Sequence, residues 1–166
     1  TPFIVEVNPE TKEVINTKVI DDTYRDSIVW EKQIENKLSE IITLTRSIPT
    51  DKEFYQRNLD RVQAYFTREA GEQLRESLSA NQVTEKLNNR DSVTVDIDSV
   101  IKLERNKRKY QVMWTENLIK VTGEINVKKY IAIIDVITVE VKSSKMLKEN
   151  PFGIMIKDIN ISESNI

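Results

Sequence analysis

The sequence predicts an α+β domain, in which helices from the first half pack on an antiparallel sheet from the second half. Three observations lead there. Apolar residues recur at helical spacing early in the chain, at Ile34, Leu38, Ile41 and Ile42. From Ser92 the period changes to two, with Val93, Val95 and Ile97 and then Tyr110, Val112 and Trp114 on alternate positions. Only three Gly and four Pro occur among 166 residues, so most of the chain is expected to be regular. The resulting layout is a curved antiparallel sheet of about four strands wrapped around a long N-terminal helix, a cone-shaped single domain over residues 1–166.

Taken in order, residues Thr1 to Asn8 read as a short extended segment that turns at Asn8-Pro9, and Val14 to Val19 as a returning strand. A long amphipathic helix is expected from about Thr23 to Ser47, with Asp21 and Asp22 at its electropositive start and Pro49 at its end. Thr50, followed three residues later by Glu53, has a capping-box pattern for a second helix, whose apolar face is read as Phe54, Leu59, Val62 and Phe66. Gly71 is expected to break that run, and Leu74, Leu78, Val83 and Leu87 mark shorter helices beyond it. In the strand-rich half, the step from Ile97 to Val100 shifts the phase, which predicts a bulge near Asp98-Ser99. The charged tract Glu104 to Lys109 and Gly123 mark turns. Val127 to Val141 is the longest strand candidate, apolar on both faces at its centre and so expected in the middle of the sheet, covered on both sides or twisted under the helices. Lys142 to Glu149 reads as a polar connection. Gly153 to Ile161 reads as a last strand that needs a second phase shift.

Composition excludes more than it proves. There is no Cys and no His, which removes thiol and Ser-His-Asp chemistry, zinc sites of the usual ligand types and iron–sulfur clusters. Lys plus Arg is 25 and Asp plus Glu is 27, a near balance that argues against a dedicated nucleic-acid binder. No stretch approaches the ~20 apolar residues of a membrane helix. The chain starts at Thr1 rather than Met, so it is expected to be cut from something longer.

Several strings occur in a telling order: FIVEVNPETKEV, WEKQIENKLSEIITLTRSIPTD, NLDRVQAYFT, KYIAIIDVITVEV and ENPFGIMIKDINIS. This series resembles the periplasmic domain of the TrbF family, related to the eighth VirB component, the bitopic inner-membrane subunit of type IV secretion and conjugation machines. Two parts carry most of the likeness: the junction with Arg46, Ser47 and Asp51, and Asn150-Pro151-Phe152-Gly153, which looks like the NPxG motif of that family. The resemblance implies a nuclear-transport-factor-two-like cone, no enzymatic activity and no cofactor. It also implies a cytoplasmic tail and one membrane helix upstream, with this domain in the periplasm. The implied partners are copies of itself and other envelope subunits of the channel.

The candidate functional residues follow. Asn150, Pro151 and Gly153 are read as a turn that aims the last strand and orders a self-association surface; a Gly at 153 permits a positive φ, and Gly153→Ala is expected to damage both roles if φ is positive there. Ile28, Val29 and Trp30 form an apolar start to the long helix, a candidate interaction surface that could equally pack on the N-terminal hairpin. Arg46, Ser47 and Asp51 read mainly as helix punctuation, with Arg46 suiting one helix C-terminus and Asp51 the next N-terminus. The basic tract Lys102, Arg105, Lys107, Arg108 and Lys109 reads as a solvated hairpin tip rather than a phosphate or lipid contact. Asp96 and Asp98 share a strand face and read as a solvent-facing edge before a cation site. A small-molecule enzyme or binding protein of the same cone-shaped fold is the rival; it would draw on Tyr110 with Asp96 near Trp114. Core packing is the expected role for these two aromatic residues.

Overall fold

The computed structural model describes residues 3–19 and 28–165. An N-terminal hairpin pairs β1 (Phe3–Val7) with β2 (Val14–Val19). Asn8 closes its turn by accepting the backbone N–H groups of Glu10 and Thr11 on Oδ1. Then come α1 (Ile28–Arg46), α2 (Lys52–Val62) with a 3₁₀ turn at Gln63–Tyr65, α3 (Arg68–Ala80) and α4 (Val83–Asn88). The sheet follows as a simple antiparallel meander of β3 (Ser92–Lys102), β4 (Lys109–Ile119), β5 (Ile125–Thr138) and β6 (Ile154–Ser164), with α5 (Ser144–Glu149) between the last two strands. The expected Asp21, Asp22 and Thr23 lie outside the described residues.

One stripe of α1 seats on the inner face of this sheet. Trp30, Ile34, Leu38, Ile41 and Ile42 are fully buried against Tyr110, Val112 and Trp114 of β4, Ala132 and Ile134 of β5, and Ile154 and Ile156 of β6. A smaller cluster of Ile48, Tyr55, Val83 and Val93 closes the far end. There Ile48 and Val93 exchange both backbone hydrogen bonds, at 3.0 and 2.8 Å, so the start of β3 is covered. The other edge is covered too. Thr67 donates its N–H to the Ile156 carbonyl at 3.0 Å, and the Gln73 side chain accepts from the Ile159 N–H at 2.9 Å while donating to Asp158 at 2.7 Å.

Both expected phase shifts are β-bulges. In β3 the register skips Asp98, between the pairs Ile97–Trp114 and Ser99–Met113. In β6 it skips Lys157, between Asp158–Asp135 and Ile156–Val136, and this lets Ile156 and Ile159 both face the core although they are three apart.

Four expectations are corrected. The cap of α2 is Asp51, not Thr50: its Oδ1 accepts the N–H groups of Glu53 and Phe54 at 2.8 and 3.2 Å. The buried face of α2 is Tyr55, Asn58 and Val62, and Phe54 is 50% exposed. Gly71 does not break a helix. It lies in the first turn of α3, and the break falls earlier, at Phe66 and Thr67, whose extended backbone ends one helix and caps the next. β5 lies inside the sheet, between β4 and β6, and of its two expected arrangements it has the one under the helices: Ala132, Ile134 and Val136 are buried there, and Ile131 and Ile133 on the other face are half-buried. The connection after β5 also holds a short helix, α5, started by Ser143, whose hydroxyl accepts the Met146 N–H at 3.0 Å.

Candidate functional site

Two regions at opposite ends of the sheet concentrate the chemistry. At the first end, α1 delivers Arg46 from its last turn into a buried position, where its Nε lies 2.5 Å from Oε1 of Glu116 on β4. Arg46 and Glu116 are 2% and 4% exposed. Alternation along β4 turns Glu116 inward with Tyr110, Val112 and Trp114. The Trp114 indole donates to the same Glu116 oxygen at 2.8 Å. Trp114 stacks on Tyr130 with centroids 5.8 Å apart, and the Arg46 guanidinium lies 4.6 Å from the Tyr130 ring centre. Burial raises the Tyr130 phenol, and the Glu116 carboxylate adds to that. This cluster forms the floor of a cleft of about 790 Å³ between the α3–α4 corner and the sheet.

At the other end, the Asn150-Pro151-Phe152-Gly153 turn ties three elements together. Asn150 is fully buried, and its Nδ2 donates to the carbonyls of Ala64 and Ile154 at 3.0 and 2.8 Å. Gly153 has φ +64, a positive value that Gly permits, and a Cβ there would overlap the Val139 carbonyl oxygen. Phe152 packs edge-to-face on Trp30, with ring centroids 5.7 Å apart. Two separately identified segments, the turn and the start of α1, are therefore one unit. Within it Trp30 is core rather than surface, 0% exposed, because it continues the Ile34–Leu38 stripe by one helical turn. Ile28 and Val29 do face outward, at 81% and 51%. Phe3, Val5, Leu147 and Phe152 border an apolar hollow, with Pro151 in its wall.

The remaining expectations divide. Asp51 is a cap, and the Ser47 N–H closes α1 on the Thr43 carbonyl at 3.0 Å, which is punctuation. Arg46 does far more than face a dipole. The signal that would have found its partner was legible: Glu116 is a charge on the inward phase of an otherwise apolar strand face. Tyr110 and Asp96 are not brought together. The Tyr110 hydroxyl is held by Glu31 on α1 at 2.5 Å, whereas Asp96 is exposed and accepts from Asn117 at 3.1 Å. Burial and then the Glu31 carboxylate push the Tyr110 phenol far up, so it stays a neutral donor. Asp98 accepts from Thr115 at 2.9 Å. Of the basic tract, Lys102 pairs with Glu31 at 2.9 Å, Lys107 with Glu104 at 3.1 Å and Lys109 with Asp135 at 3.8 Å; Arg108 donates to Thr138 at 3.1 Å. The tract is thus largely paired.

The fold is shared with known secretion proteins. It is similar to the crystal structure of a TrwG component of a type IV secretion system from Bartonella birtlesii, with a TM-score of 0.68 at 15% identity over 84% of this chain and 94% of that one. It is similar to Agrobacterium tumefaciens VirB8, with a TM-score of 0.67 at 14% identity over 86% and 95%. It is also similar to CagV, a VirB8 homologue from Helicobacter pylori, with a TM-score of 0.59 at 15% identity over 80% and 98%. These likenesses concern the fold, a nuclear-transport-factor-two-like cone. No curated protein matches the chain. The sequence profile of the VirB8 protein family matches residues 1–164, and the chain belongs to that family of type IV secretion components.

Proposed function

We propose that this domain is a non-enzymatic assembly subunit of a type IV secretion channel, of the TrbF type, which associates with copies of itself and recruits other envelope subunits. It works in the periplasm, tethered to the inner membrane by a helix outside this sequence. No helix among the described residues is long and apolar enough to cross a membrane. The observation that carries this reading is the apolar surface around the turn at Asn150–Gly153. Phe3, Val5 and Leu147 are large, apolar and exposed along the hollow walled by Pro151 and Phe152, and Ile28 and Val29 are exposed on the first turn of α1, next in sequence to the Trp30 that packs on Phe152. Trp30 and the buried Asn150 hold them on a rigid base. Membership of the VirB8 family supports the secretion setting. Contacts of moderate strength repeated in a ring would gain from avidity.

This domain has no Cys, and with any Cys outside it replaced by Ser, single substitutions report contacts cleanly. In cells carrying the full-length protein, Leu147→Cys should cross-link copies to one another, whereas Glu76→Cys on α3 should not. Deleting the gene should abolish transfer or export. Equal cross-linking at both positions, or transfer that survives the deletion, would sink the proposal.

A further inference from the structure

β6 ends the sheet on one side, and its outer edge is paired only in part. Ile156 turns its carbonyl outward to the Thr67 N–H at 3.0 Å, and beyond the bulge Ile159 turns its N–H outward to Gln73 at 2.9 Å. Phe66 forms a parallel bridge with Ile156, so the chain itself begins an added strand here. It then turns into α3, and the Gln73 side-chain amide takes the place of the next peptide group. Backbone direction alternates along a strand. Asn160 and Ser162 therefore bond to β5, while the N–H and C=O groups of Ile161 and Glu163 point outward as the Ile159 N–H does. Among the described residues no hydrogen bond reaches these outward groups of Ile161 and Glu163. Ile161 is half-buried and Glu163 is exposed, so an incoming chain can reach them.

We propose that this stretch of β6 takes up an extended segment of another polypeptide as an added strand. An open edge presents donors and acceptors at the spacing of an extended backbone, and a strand is the partner that matches them. Ile161, Ser162 and Glu163 line the cleft of about 790 Å³ together with Ser77, Ala80 and Asn81 at the end of α3. That recess has the size of a ligand site, which suits a single segment rather than the edge of a second folded sheet. Its charges favour an uncharged segment: around the Arg46–Glu116 pair, Lys86, Lys120 and Lys128 are set against Glu85, Asp91 and Glu163. Side chains of the segment on the Ile161 face would meet Val93 and Leu118, which also line the cleft, and should be apolar. Those on the opposite face would lie beside Asn160 and Ser162 and should be polar. The site is at the far end of β6 from the turn at Asn150–Gly153 and does not depend on self-association.

The probe is acetyl-Ser-Val-Thr-Val-Ser-amide, titrated into the ¹⁵N-labelled chain beside one analogue N-methylated at both Val and another N-methylated at Thr. The parent peptide should shift the Ile161 and Glu163 amides saturably and slow their hydrogen exchange. Asn160 and Ser162, already in the ladder, should exchange slowly throughout. N-methylation at Val removes donors that face β6 and should weaken binding at least about tenfold, the scale of one lost hydrogen bond. N-methylation at Thr, whose N–H faces away, should not. Glu163→Pro deletes one outward N–H while leaving the ladder intact, and should weaken the peptide about tenfold, whereas Glu163→Gln should not. Ala80→Trp, at an exposed position, should obstruct the cleft from the α3 side. No saturable shift, unchanged exchange at Ile161 in the bound state, equal affinity of the Val-methylated analogue, or full affinity in both Glu163→Pro and Ala80→Trp would each overturn the proposal. So would protection of these amides that rises with protein concentration in the absence of peptide, which would assign the edge to a second copy.

Discussion

Arg46 and Glu116 are 70 residues apart in sequence, yet their 2.5 Å contact, closed over by Trp114 and Tyr130, is the buried ionic joint between the long helix and the sheet. Such a pair is not worth its full Coulomb energy, because both ions give up water. Removing one partner is another matter, since it leaves an uncompensated buried charge. Arg46→Met should therefore destabilise the domain by about 3–5 kcal/mol. Adding Glu116→Gln, which keeps an acceptor for the Trp114 indole, should restore a substantial part. Urea unfolding of the two variants measures the difference, and an equal loss in both would contradict this account.

Gly153 and Gly123 both have positive φ, at +64° and +91°, but their surroundings differ. A Cβ on Gly123 meets nothing within 4 Å, so Gly123→Ala should cost only the backbone penalty of about 1–2 kcal/mol. A Cβ on Gly153 would overlap the Val139 carbonyl, which itself cannot withdraw without breaking the 2.8 Å bond from the Val139 N–H to Gly153. Gly153→Ala should exceed the Gly123 penalty clearly. It should also loosen the packing of Phe152 on Trp30, visible as a change in near-ultraviolet circular dichroism.

The fold was legible where the argument was local. The two phase shifts, at Asp98 and Lys157, follow from counting apolar positions against a period of two. The turn at Gly153 follows from residue chemistry alone. What failed needed a choice between neighbouring helical phases. Trp30 reads in the sequence as one apolar start to α1 with Ile28 and Val29, yet 30, 34, 38, 41 and 45 form one continuous buried line, as 55, 58 and 62 do on α2. Of the site, the turn and the junction were legible as positions. Glu116 was legible as a charge on the inward phase of an apolar strand face, but its pairing with Arg46, the Glu31 link and the cleft were not, because strand register brings together residues far apart in sequence.

If the apolar face beside the turn mediates association, Ile28→Glu and Leu147→Glu should dissociate oligomers without unfolding the chain. Both side chains are exposed, 81% and 51%, so each change should move stability by no more than about 0.5 kcal/mol. Sedimentation at several concentrations, beside urea midpoints, separates the two effects. Intact oligomers in both variants would place the contact elsewhere.

Glu31 links α1 to β4, accepting from the Tyr110 hydroxyl at 2.5 Å and from Lys102 at 2.9 Å. Partial burial alone would raise its pKa, but these two hydrogen bonds, with the charges of Lys102 and Arg108, together bring it below the ordinary 4.5. The folded chain then holds its proton less tightly than the unfolded chain does. The stabilisation is complete well above pH 4.5 and is lost as pH falls through the lower folded value. Glu31→Gln keeps an acceptor for Tyr110 but cannot titrate. It should be less stable than the native chain at pH 7 and should lose less on acidification below about 4.5. Parallel melting curves from pH 7 downward test this. Converging curves support the ionic link, whereas a constant offset would assign Glu31 only a packing role.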